Sequence, residues 1–157
     1  MTVHAALSLN QQKSGNKGNT RQDLIAMWEG VDYFFIDEIS MIGCQMLYQI
    51  SKVLIEAKGI SEPFGGINFI VAGDFAQLPP VGETRLYTFV NTSQTQRTTK
   101  RGQEVIFGNF LWLSINTVVI LTESMRQVGP ENQLLIQTLA RLREGRCNDT
   151  DFHLLSS

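Results

Sequence analysis

Basic charge and cysteine are scarce in this chain, and each scarcity narrows what it can do. Thirteen Lys and Arg against fifteen Asp and Glu leave a formal net charge of −2. No overall basic field therefore advertises nucleic-acid binding, and a local groove is the only electrostatic route left. The two cysteines, Cys44 and Cys147, lie far apart with no C-x-x-C pair. They read as ordinary thiols of a reducing compartment, with a single disulfide as the other option. His4 and His153 have no Cys or carboxylate cluster at ligand spacing, which argues against zinc. No apolar run approaches the ~18 residues of a membrane span, and Met1 to His4 start no leader peptide. Neither a membrane partner nor secretion is expected. No Gly-Lys dipeptide occurs anywhere, so the G-x-x-x-x-G-K-[ST] loop that cradles nucleotide phosphates is missing.

What is present suits one globular domain. At 157 residues, 43% hydrophobic and 18% charged, the chain is long enough to bury roughly 70% of its unfolded surface. Asn10 to Asn19 reads as a loop, and Thr20 to Asp23 has capping-box spacing ahead of Leu24, Ile25, Met27 and Trp28. Val31–Ile36 is a short aromatic and β-branched run of the kind buried on both faces of a parallel sheet. Gln45–Lys58 carries the clearest helical stripe, through Met46, Leu47, Ile50, Val53, Leu54 and Ala57, and stops at Gly59. After a turn at Pro63–Gly66 comes a second strand, Ile67–Ala72. Leu78-Pro79-Pro80-Val81 has to be extended. Asn91–Gln103, rich in Thr, Gln and Asn with Arg97, Lys100 and Arg101, reads as an exposed polar insertion. Thr117–Leu121 is expected as a third strand and Glu131–Arg143 as a closing helix with a solvated basic face. Strands alternating with helices imply an α/β fold with a mostly parallel sheet.

Ligands of open α/β sheets bind beyond the carboxyl ends of the strands. Here the first expected strand ends in Asp37-Glu38, the second in Gly73-Asp74 with Gln77 close behind, and the third leads to Glu123 and Arg126-Gln127. An apolar run followed by Asp-Glu fits a Walker B element. Asp37 would hold Mg²⁺, a small hard cation that favours carboxylate oxygen, and Glu38 would act as general base on water. Gln77 would orient that water, and Arg126 would neutralise charge on the phosphoryl oxygens. From the acidic pair alone, a solvated strand end is an equal reading.

The pair has company. Asp37-Glu38-Ile39-Ser40-Met41, then Gly73-Asp74-Phe75-Ala76-Gln77-Leu78-Pro79-Pro80-Val81, then Leu121-Thr122-Glu123-Ser124-Met125-Arg126-Gln127 follow in that order. They resemble motifs II, III and IV of the PIF-type DNA helicases of superfamily 1B. Thr2-Val3-His4-Ala5-Ala6-Leu7 is similar to the end of that family's motif Ia. Phe64-Gly65-Gly66 and the polar insertion look most like the Helitron-associated fungal branch. The resemblance implies a partial RecA-like P-loop NTPase domain over 1–157, motor domain 1A from the end of motif Ia through motif IV, without the Walker A strand and loop. It implies ATP hydrolysis coupled to 5′ to 3′ movement on single-stranded DNA and unwinding, in repair, recombination or telomere maintenance, in the nucleus or mitochondrion of a eukaryote. By the same resemblance Asp37, Asp74 and Ser40 serve ATP and Mg²⁺, while Glu38, Gln77 and Arg126 serve catalysis. His4, Pro79 and Pro80 would lie near the DNA.

The missing phosphate loop and the missing second motor domain make the chain read as a fragment, inactive alone. A non-catalytic remnant that grips single-stranded DNA or a protein through Arg97, Lys100 and Arg101 is the second reading. A different P-loop ATPase is the third, disfavoured by the Gln-Leu-Pro-Pro block.

Overall fold

The computed structural model describes residues 17–89, 98–123, 129 and 132–156. They fall into two compact units, Met1–Asn116 and Thr117–Ser157, and each is considered by itself. Among the described residues no helix is long and apolar enough to cross a membrane.

The first unit is built around a strand–helix–strand crossover. In chain order it contains α1 (Lys17–Trp28), β1 (Tyr33–Ile36), a 3₁₀ turn (Ile39–Met41), α2 (Cys44–Lys58), a second 3₁₀ turn (Pro63–Gly66), β2 (Asn68–Val71) and α3 (Lys100–Leu113). The strands pair in parallel, with Tyr33 opposite Asn68 and Ile36 opposite Val71. The helical stripe read from the sequence is the centre of the core: Leu47, Ile50 and Leu54 of α2 are completely buried. Around them pack Leu24 and Trp28 of α1, Ile36 of β1, and Phe64, Ile67, Leu86 and Val105. Aromatic rings link these layers. Trp28 meets Phe34 edge-on at 5.0 Å, and Phe64 stacks on Phe69 at 4.0 Å. The Lys58 ammonium donates to the carbonyls of Trp28 and Val31, tying the end of α2 to the segment between α1 and β1.

Packing of α3 on α2 is unusually close at one point. A Cβ added to Gly108 would lie 1.8 Å from the Cys44 carbonyl oxygen, so only glycine lets the two backbones approach this far. Cys44 itself is buried, and burial first, then the Glu83 carboxylate, pushes its thiol up to about 11. Cys147, in the second unit, is exposed; both are free thiols.

Several expectations need correction. The strands are not buried on both faces. Phe34, Ile36, Phe69 and Val71 face the core, while Tyr33, Phe35 and Ile70 on the other side are 68%, 58% and 47% exposed. Helix α1 begins at Lys17, so residues 17–19 are helical, not loop, and Thr20 lies inside the helix instead of capping it. The polar insertion is shorter than its composition suggests. Residues 90–97 lie outside the described residues, but Lys100–Gln103 is the first turn of α3, whose Thr99 cap hydroxyl accepts from the Gly102 amide.

The second unit holds α4 (Gln133–Arg143) and α5 (Asp149–Ser156). Thr117–Leu121 forms no strand. Among the described residues no ladder pairs with it, and Val118 to Leu121 stand 79–89% exposed. A β-branched run supplies propensity, but a strand exists only where a neighbour takes its hydrogen bonds. Arg141 is not on a solvated basic face. Its guanidinium donates to the buried carboxylate of Asp151, which also accepts from the Thr138 hydroxyl at 2.9 Å. Asn148 and Asp151 exchange side chain–backbone bonds, each 3.0 Å, in a reciprocal cap at the start of α5.

Candidate nucleotide site

The site forms where β1 and β2 end. Ala72 donates its amide to the Ile36 carbonyl at 2.8 Å, and Ile39 donates to the Ala72 carbonyl at 2.9 Å. These two bonds carry the parallel pairing one step past each strand and bring the segment 37–39 against 72–74. Gly73 makes the approach possible. Its φ is +152°, and a Cβ there would lie 2.8 Å from the Ile39 nitrogen and 3.3 Å from the Glu38 carbonyl carbon. Asp37 and Glu38 on one strand end and Asp74 on the other therefore flank a single backbone contact.

Each acid is held differently. The Asp37 carboxylate accepts from the Glu38 amide through Oδ1 at 2.9 Å. Glu38 is left-handed, at φ 56° and ψ 45°, a conformation costing a non-glycine residue about 1–2 kcal/mol. Strain of this kind persists where surrounding structure enforces it, and it gathers at functional sites. Both Asp37 and Glu38 are exposed, so their charges face solvent at the strand end. Asp74 is half-buried, and its Oδ1 accepts from the Ala76 amide at 2.9 Å while its carbonyl accepts from the Gln77 amide at 2.9 Å. That turn leaves Gln77 exposed three residues past Asp74.

Phe75 fixes the outer side of the turn. Its ring meets Tyr87 edge-on at 5.0 Å and Trp112 of α3 at 5.4 Å. Arg85 in turn donates to the Tyr87 hydroxyl at 3.2 Å. Ser40 is buried and its Oγ has no hydrogen-bond partner among the described residues. Pro79 is exposed and Pro80 partly so. His4 and Arg126 lie outside the described residues, as does Arg97.

The strand ends thus bring the backbone of Asp37 and Glu38 beside that of Asp74, and Gln77 ends the turn that Asp74 opens. Sequence reasoning gave no role to Phe75 and did not see that Gly73 sets the approach of the strand ends. A glycine directly before the acid of a strand end was the available sign of close backbone approach. Among the described residues no three His, Cys, Asp or Glu side chains gather into a metal cage. Asp37 and Asp74 are carboxylates, the hard-oxygen type of group that Mg²⁺ takes.

The chain as a whole is similar to proteins of known kind. The ATP-dependent DNA helicase PIF1 of Xenopus laevis is 35% identical over 123 residues, covering 78% of this chain and 16% of that protein. The ATP-dependent DNA helicase RRM3 of Saccharomyces cerevisiae is 30% identical over 130 residues, 82% of this chain and 16% of its own length. Among solved structures, Pif1 helicase from Candida albicans superposes with a TM-score of 0.65 at 25% identity, over 96% of this chain and 32% of that one. Pif1 helicase from Bacteroides in complex with ADP-AlF3 and ssDNA gives 0.59 at 29% identity, over 84% and 29%. The chain spans only 16% of the curated relatives' length. The PIF1-like helicase profile runs from residue 1 to residue 153, and this chain belongs to that family.

Proposed function

We propose that this chain forms the acidic half of the nucleotide cleft in an ATP-driven DNA helicase that moves 5′ to 3′ on single-stranded DNA. The observation that carries the proposal is the Gly73 approach to Glu38 and Ile39, which sets two acidic strand ends side by side. In a family of DNA helicases, that pairing has a direct use.

Asp37 would hold Mg²⁺, with Asp74 on the neighbouring strand end as a second carboxylate for ATP and Mg²⁺. When bound, the ion neutralises charge on the β- and γ-phosphates of ATP. Glu38 takes a proton from the attacking water, and its enforced left-handed backbone holds the carboxylate at the edge of the strand. Gln77 orients the same water from the adjoining turn, and Arg126 stabilises negative charge on the phosphoryl oxygens. Ser40, whose buried Oγ has no hydrogen-bond partner among the described residues, serves ATP and Mg²⁺ with the two acids. His4, Pro79 and Pro80 lie along the DNA strand. The phosphate-cradling loop and the second motor domain come from outside these 157 residues, so the chain alone does not turn over ATP. Repair, recombination and telomere maintenance, in the nucleus or mitochondrion, are the corresponding roles.

The test is DNA-stimulated ATP hydrolysis by three proteins: this chain, the complete polypeptide that carries it, and the complete polypeptide with Glu38→Gln. No turnover is expected from the chain, turnover from the complete polypeptide, and a loss of at least ~10²-fold in the variant. Vigorous hydrolysis by the chain alone would sink the account of the phosphate loop. Full activity in Glu38→Gln would remove the general base.

A further inference from the structure

Resting on the helicase reading above, we infer that Arg101 is a positioning residue: it holds the Leu78–Val81 loop in the shape that meets single-stranded DNA and makes no contact with DNA phosphate itself. The loop exposes apolar residues on both sides of its two prolines. Leu78 is 68% exposed and Val81 94% exposed, with the two prolines between them. An uncovered apolar loop would normally collapse or wander, yet both of its ends are fastened.

On the near side stands the Asp74–Gln77 turn. On the far side the chain is secured at successive residues. The Gly82 carbonyl accepts from Arg101 Nη2 at 2.9 Å, and Glu83 Oε2 accepts from the Met46 amide in the first turn of α2 at 3.1 Å. The Thr84 carbonyl accepts from the Cys44 amide at 2.9 Å, and Arg85 bridges Gly43. Leu86 is buried and its carbonyl accepts from Asn109 at 2.9 Å.

Arg101 is the strap nearest the exposed tip. Its Nε donates to Gln45 Oε1 at 3.1 Å while Nη2 reaches Gly82, so one planar fork spans α2 and the loop. Gln45 is oriented in turn by its own donation to Glu104 at 3.3 Å. A lysine keeps the charge but has no fork and cannot make both bonds in that geometry. The loop offers apolar surface and proline stiffness, which suit contact with bases and sugars, not phosphates. Holding it in place before DNA arrives lowers the ordering cost of binding.

The cation's two possible jobs give opposite signatures. In the complete polypeptide, affinity for a fluorescein-labelled oligothymidylate is measured from 50 to roughly 300 mM salt for the unsubstituted protein, Arg101→Lys and Arg101→Gln. As a positioning residue, both substitutions weaken binding by roughly three- to tenfold and leave the slope of log Kd against log salt unchanged. Both also raise the DNA concentration for half-maximal ATP hydrolysis without lowering the maximal rate. Backbone amides at 78 and 81–82 exchange faster with solvent while those of α2 stay protected. A phosphate contact would instead flatten the slope in Arg101→Gln by about 0.7 and be restored by lysine, and that result overturns the inference. So does unchanged affinity in both variants, or an equal fall in maximal rate caused by general unfolding. If the unsubstituted protein shows neither DNA binding nor DNA-stimulated hydrolysis, the helicase reading fails first and takes this one with it.

Discussion

Gly73 lies against Ile39 so closely that a methyl group at 73 would sit 2.8 Å from the Ile39 nitrogen. The amide of Ile39 is also the donor that joins the two strand ends, through the Ala72 carbonyl at 2.9 Å. One backbone contact therefore sets the spacing of Asp37 and Glu38 from Asp74. Gly73→Ala should push the strand ends apart, costing about 2 kcal/mol from close packing and a disfavoured φ. Urea denaturation of the chain reads the stability loss. In the complete polypeptide, hydrolysis should fall by at least tenfold, and a fully active, fully stable variant would show that the approach has no role.

Glu38 should trade stability for activity. Its left-handed backbone is better suited to asparagine, which tolerates that region through its short polar side chain. Glu38→Asn is expected to raise the unfolding free energy by up to ~1 kcal/mol while abolishing hydrolysis. A midpoint that falls in urea titration would mean that the backbone at 38 is unstrained.

Gly108 is the tightest point between α2 and α3. Gly108→Ala places a methyl group 1.8 Å from the Cys44 carbonyl oxygen, and helix propensity cannot compensate. A loss of about 3 kcal/mol is expected, at the upper end of overpacking costs. Thermal denaturation followed at 222 nm checks it, and the opposite sign, a stabilised helix, would show that α3 sits farther out.

The second unit should be acid-sensitive through one residue. Hydrogen bonds from the Arg141 guanidinium, then from the Asn148 amide and the Thr138 hydroxyl, hold the Asp151 carboxyl well below the usual carboxylate range. A depressed acid stabilises the folded state above its unfolded value of ~3.9 and loses that contribution as the pH falls below it. Amide protection factors in α4 and α5, corrected for the intrinsic exchange rate, should therefore fall below about pH 4. Asp151→Asn should exchange faster already at neutral pH and lose this acid step. An acid step that survives in the variant would assign it to another carboxylate.

Self-association is the expected behaviour of the isolated chain. Tyr33, Phe35 and Ile70 form an uncovered apolar sheet face, and Val118 to Leu121 add a run of four exposed apolar residues. Light scattering should show a mass that grows with concentration, and Tyr33→Lys with Phe35→Glu should reduce it. A monomer at high concentration with a transition well above ~50 °C would contradict this.

The sequence announced some of this architecture and concealed the rest for identifiable reasons. Helix α2 was legible because its apolar residues keep a 3.6-residue period and its end at Gly59 follows a basic last turn. The position of Asp37-Glu38 and of Gly73-Asp74 at strand ends was legible because each pair closes a short apolar run. Burial on both faces was misread at β1, since Tyr33 and Phe35 are as apolar as Phe34 and Ile36, and composition does not say which face meets α2. Thr117–Leu121 looked like a strand for the same reason, although among the described residues no ladder pairs with it. The start of α3 was hidden in a Thr- and Gln-rich stretch, although Thr99 caps it. Arg101 looked like a solvated cation because its acceptors, Gln45 and the Gly82 carbonyl, are far away in sequence.

The two cysteines differ in a way that has a practical outcome. Cys44 is sealed between α2 and the segment after Glu83, with its thiol pushed up to about 11, while Cys147 stands exposed in the second unit. Near neutral pH almost no thiolate forms at Cys44, and reagents cannot reach it. A maleimide dye added to the unmodified chain should therefore attach at a single place. The molecule carries its own reporter position for the 117–157 unit, and labelling at Cys44 becomes a signal that the first unit has opened.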